Sequence, residues 1–512
     1  MTAAPYTRPR GVPSPSTSRL LLTLFALPSL AFLGTAIGLV VGLRGGKLTM
    51  LALALVTLCL GLVPLVLNQM RRPERRGIIF CMLSIWFTLL FVVPVFTNYI
   101  HMQGFAIPGS IGMSLALPDV VRGQWTALLG LCALLLGHYL PIGRHLAQAM
   151  RPPRRDWSHG VMLLVAMGML VVGWTIYITS LLGLVPERAG SGFLGALGSG
   201  LIYANVLLTI AVWRYRSRLA LLILAISVPF TSFVGFFGGS KEFFLVAPAM
   251  VGITLMTLSG RIYVHWIAAG LVALIVTYPT VMFVRNAILV DGQVTVLDAV
   301  RDLGSTTKRI QKFASSGSIA DHLLEGFEAA GNRMDDLGVA SVLIRDTPRV
   351  SPFQNGRTLG LFFIAFVPRV FWPDKPNTST GRWITRTYTS SLAVDTWIAP
   401  SAIGDFYINY GYSAVFAGML LLGLILRFAD EALLARPRTA PMILAAVVIL
   451  YKTAMGVEGN VGASWSTTVF FLLPIAATHI ALRAMGWTIP IDRAPAARRA
   501  PYAVSAPADA AS

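Results

Sequence analysis

Apolar residues fall in long runs along this chain, and short polar links separate them. Runs near 20–43, 48–67, 78–97, 125–142, 160–184, 197–213, 218–238, 242–259 and 262–284 fill the first half. Three more lie near 401–427, 440–457 and 465–484. A helix needs roughly 20 apolar residues to cross the hydrocarbon of a bilayer. The pattern therefore predicts an all-α polytopic membrane protein of about twelve transmembrane helices. Strands of an outer-membrane barrel would alternate over about ten residues, and these runs do not alternate. The first run exceeds the roughly 7–15 residues of a signal-peptide core and no A-x-A site follows it, so it reads as a retained span.

Charge assigns the sides. The Arg-rich links are "RRPERR" (71–76), "RPPRRD" (151–156), "RYRSR" (214–218) and "RFADEALLARPR" (427–438), and both termini are basic too. Alternate links such as 98–124 and 185–196 carry few cations. Positive-inside topology then puts the N-terminus in the cytoplasm and lets residue 285 emerge on the other face. If the apolar segment 359–371, "LGLFFIAFVPRVF", crossed the membrane, the link 427–438 and the C-terminal Arg residues would lie outside. At about 13 residues it is also short for a span. The expectation is one extracytoplasmic insert, 285–400, between the ninth and tenth spans, in which 359–371 is a re-entrant or interfacial segment. Residues 1–19 and 485–512 read as disordered cytoplasmic ends; 20–284 and 401–484 form the membrane domain.

Composition agrees. Of the 512 residues 55% are hydrophobic and only 12% charged, against about 25% charged in a soluble domain. The net charge of +19 is not a nucleic-acid signature, because the cations sit mostly in links between spans. Cys59, Cys81 and Cys132 lie within or at the edge of apolar runs without ligand spacing, so they read as packing residues rather than a disulfide or metal site.

The insert carries ten Arg and three Lys against nine Asp and two Glu. Its cations are grouped: Arg345, Arg349, Arg357, Arg369, Lys375, Arg382 and Arg386 face only Asp346 and Asp374 between residues 345 and 386. An outward basic cluster runs against the positive-inside trend. It suits either an anionic ligand, which the planar Arg fork grips in a bidentate manner, or lipid headgroups and nearby acids. "VTVLDAVRDL" and "IADHLLEGFEAAGNRMDDL" have helical periodicity and predict amphipathic helices over the outer face. His322 on the second reads as a surface residue, though it could act as a base. Asp335 and Asp336 read as helix-end residues.

In "APSAIGDFYINYGYSAVFAG" (399–418), Ser401 is a plausible N-cap. Asp405 and Asn409, four apart, share one face of the helix that follows. An ionisable residue inside a span is by default a candidate functional residue. Lys241 in "GGSKEFF" and Glu458 with Asn460 in "GVEGNVG" fall at short turns on the same side. The phosphate-loop spacing fails at Lys241, and no nucleotide or metal site is visible. Arg285 closes the ninth span, where it can snorkel outward.

"FVPRVFWPDKPNTSTG" and "IGDFYINYGYSAVFAG", together with the layout of spans and a late outer insert, resemble the bacterial oligosaccharide repeat-unit polymerases of the O-antigen polymerase (Wzy) type. The family's acidic position is often Glu; here it is Asp405, one methylene shorter. The resemblance implies an inner-membrane glycosyltransferase of cell-surface polysaccharide synthesis, active on the extracytoplasmic face. It implies a polyprenyl-diphosphate-linked oligosaccharide as donor, with no nucleotide and no metal or other cofactor. It also implies a flippase and a chain-length regulator as partners. In that reading Arg369 and Arg285 grip the diphosphate with Arg345, Arg357, Lys375 and Arg382, while Asp405 takes the proton of the attacking hydroxyl. Lys241 and Glu458 join the substrate-binding set. Trp372, Trp383, Tyr388, Trp397 and Tyr407 are candidates to stack on sugar rings or to anchor the interface. Two rivals remain: an O-antigen ligase-like transferase, which His322 would favour, and a lipid-linked glycan flippase. The flippase should carry charge near mid-span, whereas these spans are nearly free of it.

Overall fold

The computed structural model describes residues 17–70, 77–100, 105–106, 115–150, 153–181, 199–237, 241–284, 303–314, 326, 331–332, 334–367, 371–372, 374–376, 380–389, 398–434 and 438–491. Among them the architecture is all-α, with two very short strand pairs. The helices in chain order are α1 (Thr17–Val40), α2 (Gly46–Met70), α3 (Ile78–Pro94), α4 (Leu117–Tyr139), α5 (Ile142–Ala149), α6 (His159–Leu181), α7 (Gly200–Tyr215) and α8 (Arg218–Phe237). They continue as α9 (Lys241–Ser259), α10 (Val264–Phe283), α11 (Leu303–Ala314), α12 (Asp336–Asp346), α13 (Arg357–Ala365), α14 (Gly381–Tyr388), α15 (Ser401–Ala429), α16 (Ala440–Glu458) and α17 (Val461–Ala484). Short π-helical turns extend α3 through Tyr99 and α15 through Leu434.

Among the described residues, eight helices are long and apolar enough to cross a membrane: Gly46–Met70, Ile78–Tyr99, Leu117–Tyr139, His159–Thr179, Arg218–Phe236, Ser401–Leu434, Ala440–Glu458 and Val461–Ala484. The apolar stretches Pro28–Val40, Gly200–Tyr215, Phe244–Ser259 and Val264–Thr277 are helical but shorter. Every run expected to span coincides with one of these twelve elements. One boundary differs in a way that matters: α4 starts at Leu117, not near 125. Pro118 in its first turn and Asp119, whose carboxylate accepts the Ala116 N–H at 3.3 Å, start the helix early. Arg122 therefore lies on the helix and not in the link before it.

Two apolar cores hold the bundle. One gathers α2, α3, α4, α12 and α15 around Phe87, Phe91, Leu131, Leu343, Ile403 and Met419. The other gathers α6, α7, α9, α16 and α17 around Trp157, Met162, Leu207, Val447 and Phe471. Small residues let α4 and α15 touch backbone to backbone. A Cβ at Gly137 would lie 2.0 Å from the Leu420 carbonyl oxygen, and one at Gly423 would lie 2.2 Å from that of Leu134. Such close approach, with its dispersion gain, is how helices associate where lipid is as apolar as Leu.

The second core is clasped at one end. Strand β3 (Arg155–Trp157) pairs antiparallel with β4 (Thr488–Pro490), after β1 (Phe105–Ala106) has paired with β2 (Leu115–Ala116). Asp156 sits in β3 and accepts from Arg214 at 2.8 Å and from the Ala440 N–H at 2.8 Å. It thereby ties α7 and the start of α16 to the strand pair.

The two segments expected as amphipathic helices over the outer face, 294–303 and 319–337, lie largely outside the described residues. Helix α11, which follows the first of them, has Lys308 and Lys312 exposed. Helix α12 is a core element: all its residues but Arg345 are buried. It wedges between α3, α4 and α15, where Ser341 fills the space over Gly123 and Leu343 the space over Gly404. The physical reason is its composition, "DLGVASVLIRD", which is apolar all round rather than on one stripe. Asp335 caps it as expected, accepting from the Gly338 N–H at 2.9 Å. The Tyr99 hydroxyl donates to the same carboxylate at 2.7 Å.

Candidate functional site

The polar face of α15 organises the candidate site. Ser401, Asp405 and Asn409 recur every four residues, so they stack on one side of the helix. All three are fully buried. Ser401 caps the helix, its hydroxyl accepting from the Gly404 N–H at 3.3 Å. The helix then breaks at Tyr410 and Gly411, where Gly411 takes φ +68°. The break removes a partner from the Ile408 carbonyl, and the Gln354 N–H supplies one at 2.8 Å. A kink needs such a substitute donor. Gln354 belongs to the turn "FQNG" that leads into α13. There Asn355 and Gly356 take φ +48° and +85°, and the Tyr410 hydroxyl lies 2.9 Å from where a Gly356 Cβ would be.

Helix starts meet on this face. Asp405 Oδ2 accepts the Val461 N–H at 2.8 Å, at the N-terminus of α17. Asp405 Oδ1 accepts from Asn460 Nδ2 at 3.3 Å, and Asn460 Oδ1 itself caps α17 through the Ala463 N–H at 2.8 Å. Asn460 Nδ2 also reaches the Thr380 hydroxyl at 3.4 Å, just before α14. Asn409 Nδ2 donates to Thr358 Oγ1 at 2.5 Å, in the first turn of α13, and to the Asp405 carbonyl at 2.6 Å. So α13 and α17 begin against one turn of α15, and α14 begins beside them, where Thr380 meets Asn460. Helix N-termini carry partial positive charge and favour anions. A fully enclosed carboxylate answers that field from inside.

The expected site residues divide into groups. Arg357 is exposed at the first position of α13, one residue from Thr358, and no side-chain partner for it is found among the described residues. Arg382 is exposed in the first turn of α14. Glu458 is buried at the end of α16, two residues before Asn460. These three and Asp405 share the junction.

Arg345 and Lys375 have structural work instead. Arg345 grips Asp346 with two bonds, of 3.0 and 2.7 Å, and Arg349 adds a third at 2.6 Å. Burial pushes the Asp346 carboxyl up, but the two guanidinium groups outweigh it and hold it below its usual range. Lys375 Nζ donates to the Ala365 and Val367 carbonyls at 2.8 and 2.9 Å, closing the C-terminus of α13. Helix α13 has nine residues, too few to cross a bilayer. Its packing on α17 is close, with the Thr358 carbonyl 2.6 Å from a Cβ built on Gly462.

Arg369, Arg285, His322 and Trp397 lie outside the described residues, as does the side chain of Lys241 at the head of α9. Thr358, Thr380 and Arg122 were not singled out by sequence. The two threonines show no pattern until folding brings the helix starts together. Arg122 carries a sequence signal, a cation only a few residues ahead of an apolar run, and the helix that starts at Leu117 takes it in.

Residues 113–432 match a family described as a domain of unknown function (DUF8712). No curated protein and no solved structure matches the chain. The matched region runs from just before α4 to the end of α15, so it takes in α12, the turn before α13 and the whole polar face of α15. It covers more than half of the sequence, and the chain belongs to this family.

Proposed function

We propose that this membrane protein is a glycosyltransferase that polymerises polyprenyl-diphosphate-linked oligosaccharide repeat units into a cell-surface polysaccharide. The observation that carries the reading is the junction. The starts of α13 and α17 meet on the Ser401–Asn409 face and that of α14 lies beside them at Asn460, with Arg357 and Arg382 exposed in the first turns of α13 and α14. That field suits a diphosphate, whose charge grows as it leaves. Arg369 and Arg285 belong to the same proposal by sequence position. In this reading the chain sits in the bacterial inner membrane with the junction on the extracytoplasmic face, where the lipid-linked donor resides.

In the reaction, a sugar hydroxyl of one repeat unit attacks the anomeric carbon of another. The bond from that carbon to the diphosphate oxygen breaks, and the polyprenyl diphosphate leaves with the electron pair. The hydroxyl proton passes to a carboxylate of the junction. Sequence reasoning favoured Asp405 for this step. A base must reach the proton it takes, and both Asp405 oxygens are held by α17 residues in an enclosed site. We therefore assign Asp405 to positioning the start of α17 and propose Glu458, the other carboxylate at the junction, as the group that takes the proton.

The test is to incubate the purified protein with a synthetic polyprenyl-diphosphate repeat unit and resolve the products by size. A ladder supports polymerisation. A single transfer to a lipid A core acceptor points to the ligase-like alternative, and no transfer in either assay overturns the enzymatic reading.

A further inference from the structure

Helix α17 is fastened near both ends. Its first residue, Val461, is held by Asp405 at the junction. His479 lies about five turns further along, roughly 27 Å down the axis, and meets the β3–β4 pair. There the Trp157 indole Nε1–H donates to His479 Nδ1 at 3.1 Å. Trp157 is only 1% exposed, whereas the His479 ring is partly open to its surroundings. The bond fixes the state of that ring. An indole N–H only donates, so Nδ1 must keep a free lone pair. An imidazolium donates from both nitrogens and gives Trp157 no acceptor. Protonation would strand the indole N–H in the core, where polar groups are normally paired.

The surrounding charges offer an imidazolium nothing in exchange. Arg483 follows one turn along α17, and Asp156 precedes Trp157 in β3. Asp156 is engaged by Arg214 of α7 in a buried ion pair at 2.8 Å and by the Ala440 N–H of α16. Arg155 of β3 turns to the Thr488 hydroxyl, and Arg438, before α16, holds the Leu434 carbonyl at 3.0 Å. His159, at the start of α6, stacks on Tyr215. Strand β4 contributes Thr488, Ile489 and Pro490, none of them titratable in this range. We propose that His479 is a proton-operated latch. With a neutral ring it fastens β3, and with it the start of α6, to α17. When a proton takes the Nδ1 lone pair, the bond to Trp157 breaks and the strand pair loses that hold. Histidine is the side chain whose ordinary titration, at about pH 6.5, suits such a switch. The latch is closed well above that pH and opens as pH falls below it. The inference is independent of the polymerase reading, because it involves no substrate and no junction side chain.

The experiment compares the full-length chain with His479→Gln in detergent at about pH 8 and about pH 5.5, on either side of the imidazole range. Gln offers an uncharged oxygen to Trp157 at both pH values. Acidification should therefore lower the melting temperature of the wild type by several degrees more than that of His479→Gln. Hydrogen–deuterium exchange over 155–157 and 488–490 should be faster in the wild type than in the variant at the lower pH and equal at the higher. Comparison at one pH cancels the titration of other groups. Trp157→Phe removes the donor and should flatten the acid response in the same way, which keeps the test open if His479→Gln does not fold. Parallel pH profiles for the wild type and His479→Gln overturn the proposal. An acid response that survives in Trp157→Phe overturns it as well, since the proton would then act elsewhere than on this bond.

Discussion

Asp405 accepts the backbone N–H of Val461 at 2.8 Å across 56 residues of sequence. At the far end of the same helical segment, Asp430 does the equivalent for α3, accepting the Ile79 and Phe80 N–H groups at 3.1 and 3.2 Å. Each carboxylate satisfies donors that a helix start leaves without intrahelical partners. One long helix thus pins the beginnings of two others, one at each end.

Replacing Asp405 tests whether it positions or transfers a proton. Asp405→Asn keeps an oxygen for the Val461 N–H, so it should fold and retain a measurable part of the ladder-forming rate. Asp405→Ala strands that buried N–H, a loss of about 1–3 kcal/mol, and should lower the melting temperature along with activity. If Asp405 were the base, Asn would be as damaging as Ala to the rate, by roughly 10²–10⁴, with little change in melting. Glu458→Gln should show that second pattern instead.

Arg357 and Lys375 should behave oppositely. Arg357→Ala removes an exposed side chain without a partner among the described residues, so melting should hold. The rate should fall by roughly 10²–10³ if Arg357 stabilises the leaving group. Lys375→Ala frees two carbonyls at the end of α13 and should lower the melting temperature first. Equal melting of both variants in detergent would contradict the structural role given to Lys375.

Asp335 predicts a pH dependence of stability. Burial pushes its carboxyl from 3.8 up to about 6, although bonds from Tyr99 and the Gly338 N–H pull it back. The folded chain therefore binds a proton more tightly than the unfolded chain. This group's contribution to stability is full below about pH 4 and falls as pH rises through about 6. Tyr99→Phe removes a donor to the ionised form, so it should destabilise more at pH 8 than at pH 4.5. Melting curves of both proteins across that range read the difference directly.

Gly137→Ala should separate α4 from α15. The added methyl would sit 2.0 Å from the Leu420 carbonyl oxygen, so the backbones must part. Overpacking of this kind costs about 1–3 kcal/mol. Faster proteolysis in detergent would report it, whereas Gly160→Ala, where a Cβ meets nothing within 4 Å, should leave the rate unchanged.

The sequence by itself determined where helices form. Apolar runs of spanning length have few other solutions in a bilayer, because every backbone N–H and C=O must be satisfied within the segment. The four-residue spacing of Asp405 and Asn409 likewise put them on one face before any contact was known. The tertiary structure decided what that face meets. Val461, Thr358 and Thr380 lie far from Asp405 along the chain, and nothing in periodicity brings helix starts together. It also decided which cations are engaged: Arg345 and Lys375 look alike in sequence to Arg357, yet they close on Asp346 and on the end of α13. And it set α12, within the 285–400 interval, between α3, α4 and α15. A helix shows in its own residues, but its partners depend on close packing between segments that the sequence keeps apart.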